Sequence, residues 1–314
     1  MSSLAVVRRA ARGAVKSLLE ETLIRSGLPA VARARRRGDA LVLAFHNIVP
    51  RGETAVGDAS LHLSQEAFGY LLDSILETHE VVPLPATLEI ADKRRRPRLA
   101  ITFDDAYVGA VTAGVQEVVR RGLHATIFVP PAFVGGETFW WDEVADVASG
   151  SIPTPVREHC LWSLEGDTMK VRRWAAETRF RRNVLPEHQR CASEEQLHIA
   201  VGHPGITLAN HTWSHVNLAA VAADRLDAEL RRPVEWLTAR FDRVLPWLTY
   251  PYGLYSAQVE RATEESGQFA AMRVDGGWFR PEDARRDRYR LPRLNVPAGV
   301  SVKGFRLRAA GVRQ

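Results

Sequence analysis

The sequence predicts an α/β protein built on a parallel sheet that curls into a (β/α) barrel. From residue 40 onward, seven short apolar, β-branched runs recur, and helix-like segments separate several of them. Strands that alternate with helices are typical of βα units, and nearly continuous apolar runs indicate strands buried on both faces. Most of the runs end in a polar or ionisable cluster, which is where a parallel barrel places its active site.

The seven predicted strands lie in residues 40–47, 99–106, 124–131, 206–215, 243–253, 269–277 and 289–296. Helical periodicity follows the second strand in residues 107–121 and the fourth in residues 224–241. We therefore expect seven strands around a common core, with helices on the outside.

One long segment interrupts this alternation. Residues 135–205 separate the third and fourth strands and contain Trp140, Trp141, Trp162 and Trp174, half of the tryptophans in the chain. Helices are expected near 170–182 and 193–200. An insertion at the catalytic end of a barrel often shapes substrate access. The alternative, a structural helical cap with the tryptophans in its core, is equally compatible with the sequence.

The excess of basic over acidic residues in the chain lies in its first 39 residues. They hold nine of the 42 Lys and Arg residues but only three of the 37 Asp and Glu, so residues 40–314 are close to neutral. Charges interrupt every apolar run in this leader, which excludes the pattern of a secretory signal. Its apolar residues follow helical spacing and predict a basic amphipathic helix, either packed on the fold or lying on an anionic membrane.

These features predict a cytoplasmic protein, with association at the inner face of a membrane as the alternative for the leader. Residues 301–314, with Lys303, Arg306, Arg308 and Arg313, are expected to form a basic, solvated tail. No nucleic-acid-binding motif accompanies the basic residues, so no nucleic-acid partner is predicted. The sequence predicts no particular oligomeric state.

Two polar clusters carry the chemistry, and each lies at the end of a predicted strand. Asp104 and Asp105 follow the second strand, and His211 and His215 follow the fourth. Adjacent carboxylates raise each other's pKa unless a cation neutralises them. Two histidines four residues apart can bind one metal ion, and one carboxylate completes a set found at catalytic metal sites. Together, the clusters predict a metal centre with a carboxylate beside it.

These residues resemble the polysaccharide deacetylases, also called carbohydrate esterase family 4 or NodB-homology domain proteins. The resemblance covers about residues 40–300 and rests on the order of its motifs. The motifs are Leu-Ala-Phe-His-Asn at 43–47, Thr-Phe-Asp-Asp-Ala at 102–106, His-Thr-Trp-Ser-His at 211–215, Tyr-Pro-Tyr-Gly at 250–253 and Leu-Pro-Arg at 291–293. It implies a distorted seven-stranded (β/α) barrel of the NodB-homology type, with the Trp-rich helical insertion as an addition.

The resemblance also implies the roles of individual residues. Asp105, His211 and His215 would hold a divalent metal, zinc by preference, with cobalt, nickel, manganese or iron as alternatives. Asp104 would be the general base, and the backbone N–H of Tyr252 would stabilise the oxyanion. Two aromatic residues, Trp141 of the insertion and Trp278 near the family's fourth motif, are expected to bind substrate.

Two departures from the family pattern affect the predicted mechanism. The arginine that usually opens the third motif and pairs with the base is replaced by Thr249. We expect Arg293 to approach Asp104 instead, with a surface or structural salt bridge of Arg293 as the alternative. Residues 216–314 contain no histidine, so the general acid that many members carry near the C-terminus is missing. His46 at the end of the first strand is the candidate replacement, and Asp104 acting as base and then as acid is the alternative.

The predicted function is metal-dependent hydrolysis of an N-acetyl group, or alternatively an N-formyl group, on a sugar of a polysaccharide, glycolipid or glycan precursor. The missing histidine and arginine motivate one alternative, a carbohydrate-binding relative without catalytic activity.

Overall fold

The computed structural model describes residues 3–90 and 96–312, and for residues 3–13 it describes the backbone but no side chains. The strands are β1 (Ala40–Phe45), β2 (Asn47–Val49), β3 (His62–Ser64), β4 (Glu80–Val81), β5 (Arg98–Phe103), β6 (Ala125–Val129), β7 (Ile206–Asn210), β8 (Val244–Thr249), β9 (Ala270–Met272), β10 (Trp278–Phe279) and β11 (Leu294–Asn295).

The α-helices are α1 (Ser3–Arg25), α2 (Leu28–Arg35), α3 (Gln65–Leu76), α4 (Val115–Arg120), α5 (Trp140–Val144), α6 (Thr154–Glu158), α7 (Thr168–Glu177), α8 (Glu194–Gly202), α9 (Ala223–Thr238), α10 (Ala257–Glu265), α11 (Pro281–Arg286) and α12 (Val302–Ala309). Short 3₁₀ turns occur at Leu84–Leu88, Pro131–Phe133, Glu187–Gln189 and Pro251–Gly253, and π-helical turns at Ala110–Gly114 and His159–Ser163.

A curled sheet with the strand order β10-β1-β5-β6-β7-β8-β9 forms the centre of the molecule. Its neighbouring strands are parallel except for β10, which pairs antiparallel with β1. All six residues of β1 are buried, as expected for a strand covered on both faces. The last predicted strand, residues 289–296, connects β9 to β1, because Leu291 bridges to Met272 and Leu294 pairs with Leu43. The predicted seven-stranded α/β barrel architecture is confirmed.

The carboxyl ends of the parallel strands form one edge of the sheet, which we call the carboxyl edge. Phe45 at the end of β1 is in register with Phe103 at the end of β5, so the residues that follow these strands lie side by side. The pairing of Asn210 with Leu248 likewise brings together the ends of β7 and β8. The register therefore brings both polar clusters to one edge.

The insertion contains helices α5 to α8 and packs on the carboxyl edge. Trp140 and Trp141 are buried, whereas Trp162 is exposed. Local capping begins two of its helices: Asp167 accepts from the first turn of α7, and a capping box of Ser193 and Gln196 starts α8. The buried side chains of the insertion, Trp140 and Trp141 among them, belong to the same hydrophobic core as the barrel strands. The insertion also contributes to the cavity described in the next subsection.

Both ends of the chain form helices on the outside of the barrel. Residues 302–309 are not a solvated tail, because Phe305 and Leu307 of α12 are buried. Arg313 lies outside the described residues, and so do the side chains of Arg8, Arg9 and Arg12. Among the described residues, no helix combines the length and apolar character needed to span a membrane.

Candidate active site

A cavity of about 360 Å³ opens at the carboxyl edge. Most of the side chains that the sequence singled out face it. The residues that line it are His46, Asp58, Ser60, Leu61, Asp104, Asp105, Trp141, Arg157, His211, His215, Tyr250, Tyr252, Gly253, Val274, Arg293 and Asn295.

Asp105, His211 and His215 converge in the wall of this cavity. Asp105 Oδ1 lies 3.2 Å from His211 Nε2 and 3.0 Å from His215 Nε2, and the two Nε2 atoms are 3.1 Å apart. Tetrahedral zinc, with bonds of about 2.0–2.1 Å, requires ligand atoms separated by about 3.3 Å. Asp105 Oδ1 is also buried without a hydrogen bond of acceptable geometry. The donor set, the spacing and this unpartnered oxygen fit a divalent metal ion.

The hydrogen bonding of His211 determines its tautomer. Its Nδ1 lies 2.9 Å from the carbonyl oxygen of Thr249 and 2.7 Å from the Thr249 hydroxyl. A carbonyl oxygen only accepts, so Nδ1 carries the proton and Nε2 presents its lone pair towards Asp105 and His215. Histidine ligands commonly have such a partner on the other ring nitrogen, which holds the tautomer and the ring orientation.

The backbone around the cavity is strained. Asp105, Ala106, Thr212, His215 and Tyr252 have φ angles between 51° and 69°, the left-handed region that residues other than glycine rarely adopt. Each such residue costs on the order of 1–3 kcal/mol, and these conformations concentrate at functional sites. Three of these residues, Asp105, His215 and Tyr252, line the cavity.

Asp104 forms a buried, bidentate ion pair with Arg293. Arg293 Nη1 donates to Asp104 Oδ1 over 2.8 Å, and Nη2 donates to Oδ2 over 2.7 Å. Burial alone would raise the pKa of Asp104, but the Arg293 guanidinium, assisted by His211 and His46, lowers this pKa below its ordinary value. Asp104 is therefore ionised at neutral pH, although it is buried.

Thr249 occupies the position of the arginine in the family's third motif, and its contacts differ from those of that arginine. The guanidinium on the Asp104 carboxylate comes from Arg293, next to β11, rather than from the end of β8. The Thr249 side chain instead contacts the imidazole of His211. The Asp104 carboxylate and an arginine are thus present together, although the arginine comes from a different strand than in the family pattern.

His46 follows β1 and lines the same cavity as Asp104. Its side chain is half-buried, whereas those of His211 and His215 are buried. An imidazole that borders both the cavity and solvent can exchange protons with water.

A chain of hydrogen bonds holds the aromatic wall of the cavity. Trp141 Nε1 donates to the hydroxyl of Tyr107 over 2.7 Å, and that hydroxyl donates to Asp142 Oδ2 over 2.7 Å. The ring of Trp141 packs against His215 with centroids 4.7 Å apart. On the other side, the hydroxyl of Tyr252 accepts from Trp140 Nε1 over 2.8 Å. Trp141 and Tyr252 thus both line the cavity.

Trp278 does not line the cavity, so its predicted substrate contact is not supported. It pairs with Leu41 near the start of β1, at the opposite end from the carboxyl edge, and it stacks on His79 with ring centroids 5.7 Å apart. The physical reason is the antiparallel return of β10, which brings this part of the chain back to the amino end of the barrel.

Two charged residues of the cavity were missed by sequence reasoning. Asp58 comes from the loop between β2 and β3, and its carboxylate is hydrogen-bonded to Arg157 of α6 over 2.5 Å. The backbone N–H of Asp58 donates to Asp142, the same carboxylate that holds Tyr107. No local sequence signal joins residues 99 positions apart, so only the fold could reveal this pair.

Residues 91–270 match the family described as polysaccharide deacetylase. A curated relative is YxkH of Bacillus subtilis (strain 168), a protein that its name assigns provisionally to the polysaccharide deacetylases. It is 26% identical over 120 residues, which cover 38% of this chain. The match spans 41% of that relative's length, less than half of it.

Solved structures share the fold at low sequence identity. IcaB from Ammonifex degensii has a TM-score of 0.59 at 16% identity, and the match covers 87% of this chain and 96% of the IcaB chain. BC0361, a polysaccharide deacetylase from Bacillus cereus, has a TM-score of 0.60 at 13% identity, covering 85% and 67%. Deacetylase PplD from Streptococcus pyogenes has a TM-score of 0.56 at 12% identity, covering 85% and 96%. Since the family match extends over more than half of the sequence, the chain belongs to the polysaccharide deacetylase family.

Proposed function

We propose that this protein is a metal-dependent hydrolase that removes N-acetyl groups, or N-formyl groups, from a sugar of a glycan, glycolipid or glycan precursor. One observation carries the proposal. The triangle of Asp105, His211 and His215 lies in the same cavity as the ionised Asp104–Arg293 pair. A hydrolytic site needs these two functions, a metal-ligand set and a base, beside each other.

Asp105, His211 and His215 would hold the metal ion, with zinc as the first choice. A divalent metal in such a site lowers the pKa of water and polarises an amide carbonyl. Asp104 accepts the proton of the attacking water. It can do so because Arg293 keeps the Asp104 carboxylate ionised. Water adds to the acyl carbon, the carbon–nitrogen bond breaks, and the products are a carboxylic acid and the amine of the sugar.

The leaving nitrogen needs a proton, and His46 is the proposed donor. It lines the cavity together with Asp104 and, being half-buried, can be reprotonated from solvent. The backbone N–H of Tyr252 is proposed to stabilise the negative charge that develops on the acyl oxygen. Trp141 would form an apolar wall for the acyl group or the sugar ring.

The presence of Asp104 favours catalysis over carbohydrate binding alone. A purely binding relative has no use for a buried carboxylate that an arginine keeps ionised next to a metal-ligand set, because burying such a pair is costly. The predicted location in the cytoplasm remains a prediction from the sequence.

Acetate release from N-acetylglucosamine oligomers tests the proposal. The protein stripped of metal by a chelator should be inactive, and added Zn²⁺ or Co²⁺ should restore the reaction. His211→Ala should abolish acetate release and metal binding, whereas His198→Ala, which removes a half-exposed histidine on α8, should keep both. Full activity of the stripped protein or of His211→Ala would contradict the proposed function.

A further inference from the structure

Three apolar side chains lie exposed on one face of α1. Val15 is 68% exposed, Leu18 69% and Leu19 50%. These residues, which we call the apolar stripe, have the i, i+3, i+4 spacing of a single helix face. Single apolar residues are normal on a protein surface, but three neighbouring ones on one helix face call for a partner.

This stripe points away from the barrel. Glu20 of α1 is buried, accepts a hydrogen bond from Ser301 over 2.6 Å and packs against Gly304 of α12. Leu18 precedes Glu20 by two residues, which is about 200° around a helix of 3.6 residues per turn. Glu20 therefore faces α12, and Leu18 faces the opposite direction. The barrel itself does not cover the stripe.

The stripe lies at the same end of the barrel as the candidate active site. The segment that leads into α12 runs along the carboxyl edge, since Asn295 lines the cavity and Ala298 N–H donates to the carbonyl of Ser60. From Ser301, α12 descends to the opposite end, where Ala309 accepts a hydrogen bond from His79.

Helix α1 follows the same direction as α12. After Glu20, the chain continues through α2 to Arg36, which lies over the ring of Trp278 at the amino end of β1. The part of α1 before Glu20, including Val15, Leu18 and Leu19, is therefore at the carboxyl edge or beyond it.

The charge of this segment identifies the partner. Residues 1–19 contain Arg8, Arg9, Arg12 and Lys16 and no acidic residue. Lys16 lies near Glu20, and its side chain is half-exposed. A basic helix with an apolar face is the form that binds the interface of anionic membranes.

We propose that the apolar face of α1 docks on an anionic lipid bilayer and holds the carboxyl edge close to that bilayer, so that the substrate is an N-acetylated sugar anchored in the membrane. The part that names the substrate rests on the proposed function, whereas the docking itself does not.

Vesicle sedimentation with the full chain tests the docking. Vesicles of equal parts phosphatidylglycerol and phosphatidylcholine should pellet most of the protein, and phosphatidylcholine vesicles or 0.5 M salt should release it, because salt screens the basic residues. The double variant Leu18→Glu/Leu19→Glu should weaken binding at least tenfold. A matched control, Val184→Glu/Ile199→Glu, adds two charges at positions that are 90% and 64% exposed and should bind like wild type.

Activity separates the two levels of the proposal. On a synthetic N-acetylglucosaminyl lipid embedded in the anionic vesicles, the Leu18→Glu/Leu19→Glu variant should lose at least tenfold in kcat/KM, while its rate on soluble oligomers stays at the wild-type value. Inactivity of the wild type and of both double variants on both substrates contradicts the proposed function but leaves the sedimentation result valid.

Three results would overturn the docking: no preference for anionic vesicles, unchanged sedimentation of the double variant, or a wild-type dimer that the double variant converts to a monomer without any vesicle binding. The last result would identify the face as a contact between two copies.

Discussion

Arg293 holds both carboxylate oxygens of Asp104, with donor–acceptor distances of 2.8 and 2.7 Å, in the buried interior of the carboxyl edge. The planar guanidinium matches the carboxylate geometry, and a lysine could not reproduce both bonds. Arg293 Nε also donates to the carbonyl of Arg273, which anchors the side chain from behind. The pair therefore determines both the position and the charge of the proposed base.

Replacing Arg293 by Met should impair stability and activity together. Loss of one partner leaves Asp104 buried without a cation, which costs about 3–5 kcal/mol of unfolding free energy. The pKa of Asp104 should rise when the arginine is removed, so the acid limb of kcat/KM should move to higher pH, and the rate should fall by about a hundredfold. Urea unfolding and the pH profile of acetate release measure these effects.

The exposed Arg290→Met, which removes an ion pair with Glu260, is the control and should change neither quantity appreciably. The double variant Asp104→Asn/Arg293→Met should recover part of the lost stability without recovering activity. An Arg293→Met enzyme with wild-type kcat/KM and an unchanged acid limb would show that the pair is structural only.

Most of the fold and the centre of the site were predictable, because both depend on local patterns. Parallel strands bring their carboxyl ends together, so polar residues directly after predicted strands, such as Asp105 and His211, had to lie near one another. The predicted substrate contact of Trp278 is not supported, because the position of Trp278 depends on the antiparallel pairing of β10, a strand of only two residues. The pair of Asp58 and Arg157 and the buried packing of α12 depend on contacts between distant parts of the chain, which no local pattern reveals.

His46→Gln should reveal whether His46 delivers the proton to the leaving amine. A general acid contributes about 10²–10⁴-fold when the leaving group is poor. We therefore expect at least a hundredfold loss of kcat on N-acetyl sugars. An acetyl ester of an acidic phenol, whose leaving group needs no proton, should be hydrolysed by the variant within threefold of the wild-type rate.

Metal content, measured in the same preparations, should remain that of the wild type, because His46 is not among the three converging ligand residues. Equal losses on the amide and the ester would contradict the acid role and assign His46 to positioning. Wild-type activity on both substrates would exclude any role in the reaction and favour Asp104 as both base and acid.

Tyr107→Phe should loosen the aromatic wall without removing the metal. The substitution leaves Trp141 Nε1 and Asp142 Oδ2 without their shared partner in a buried place, which costs about 1–3 kcal/mol. Trp141 then loses its fixed orientation at the cavity, so KM should rise severalfold while kcat changes less. Tyr70→Phe is the matched control, since the Tyr70 hydroxyl bonds Glu66 on the surface and its loss should cost less than about 0.5 kcal/mol. Equal destabilisation by both substitutions would contradict the role of the Tyr107 network.

His79, which lies far from the cavity, should lower the stability of the protein at acid pH. Its Nε2–H donates to the carbonyl of Ala309 at the end of α12 over 3.1 Å, and its ring stacks on Trp278. Burial, together with the nearby Arg33 cation, lowers the pKa of His79 from its ordinary 6.5 to about 4. Between these two values the unfolded chain binds a proton at His79 and the folded chain does not, so the folded state loses stability as the pH falls.

This difference should cost the wild type on the order of 2 kcal/mol of unfolding free energy between pH 7 and pH 5. His79→Gln keeps an N–H for Ala309 but cannot be protonated in this range, so urea unfolding of the variant should depend less on pH by that amount. His198→Gln removes a surface histidine on α8 and serves as the control for the loss of one imidazole. If wild type and His79→Gln lose the same free energy between pH 7 and pH 5, His79 is not the group responsible, and the anchoring of α12 does not depend on its protonation.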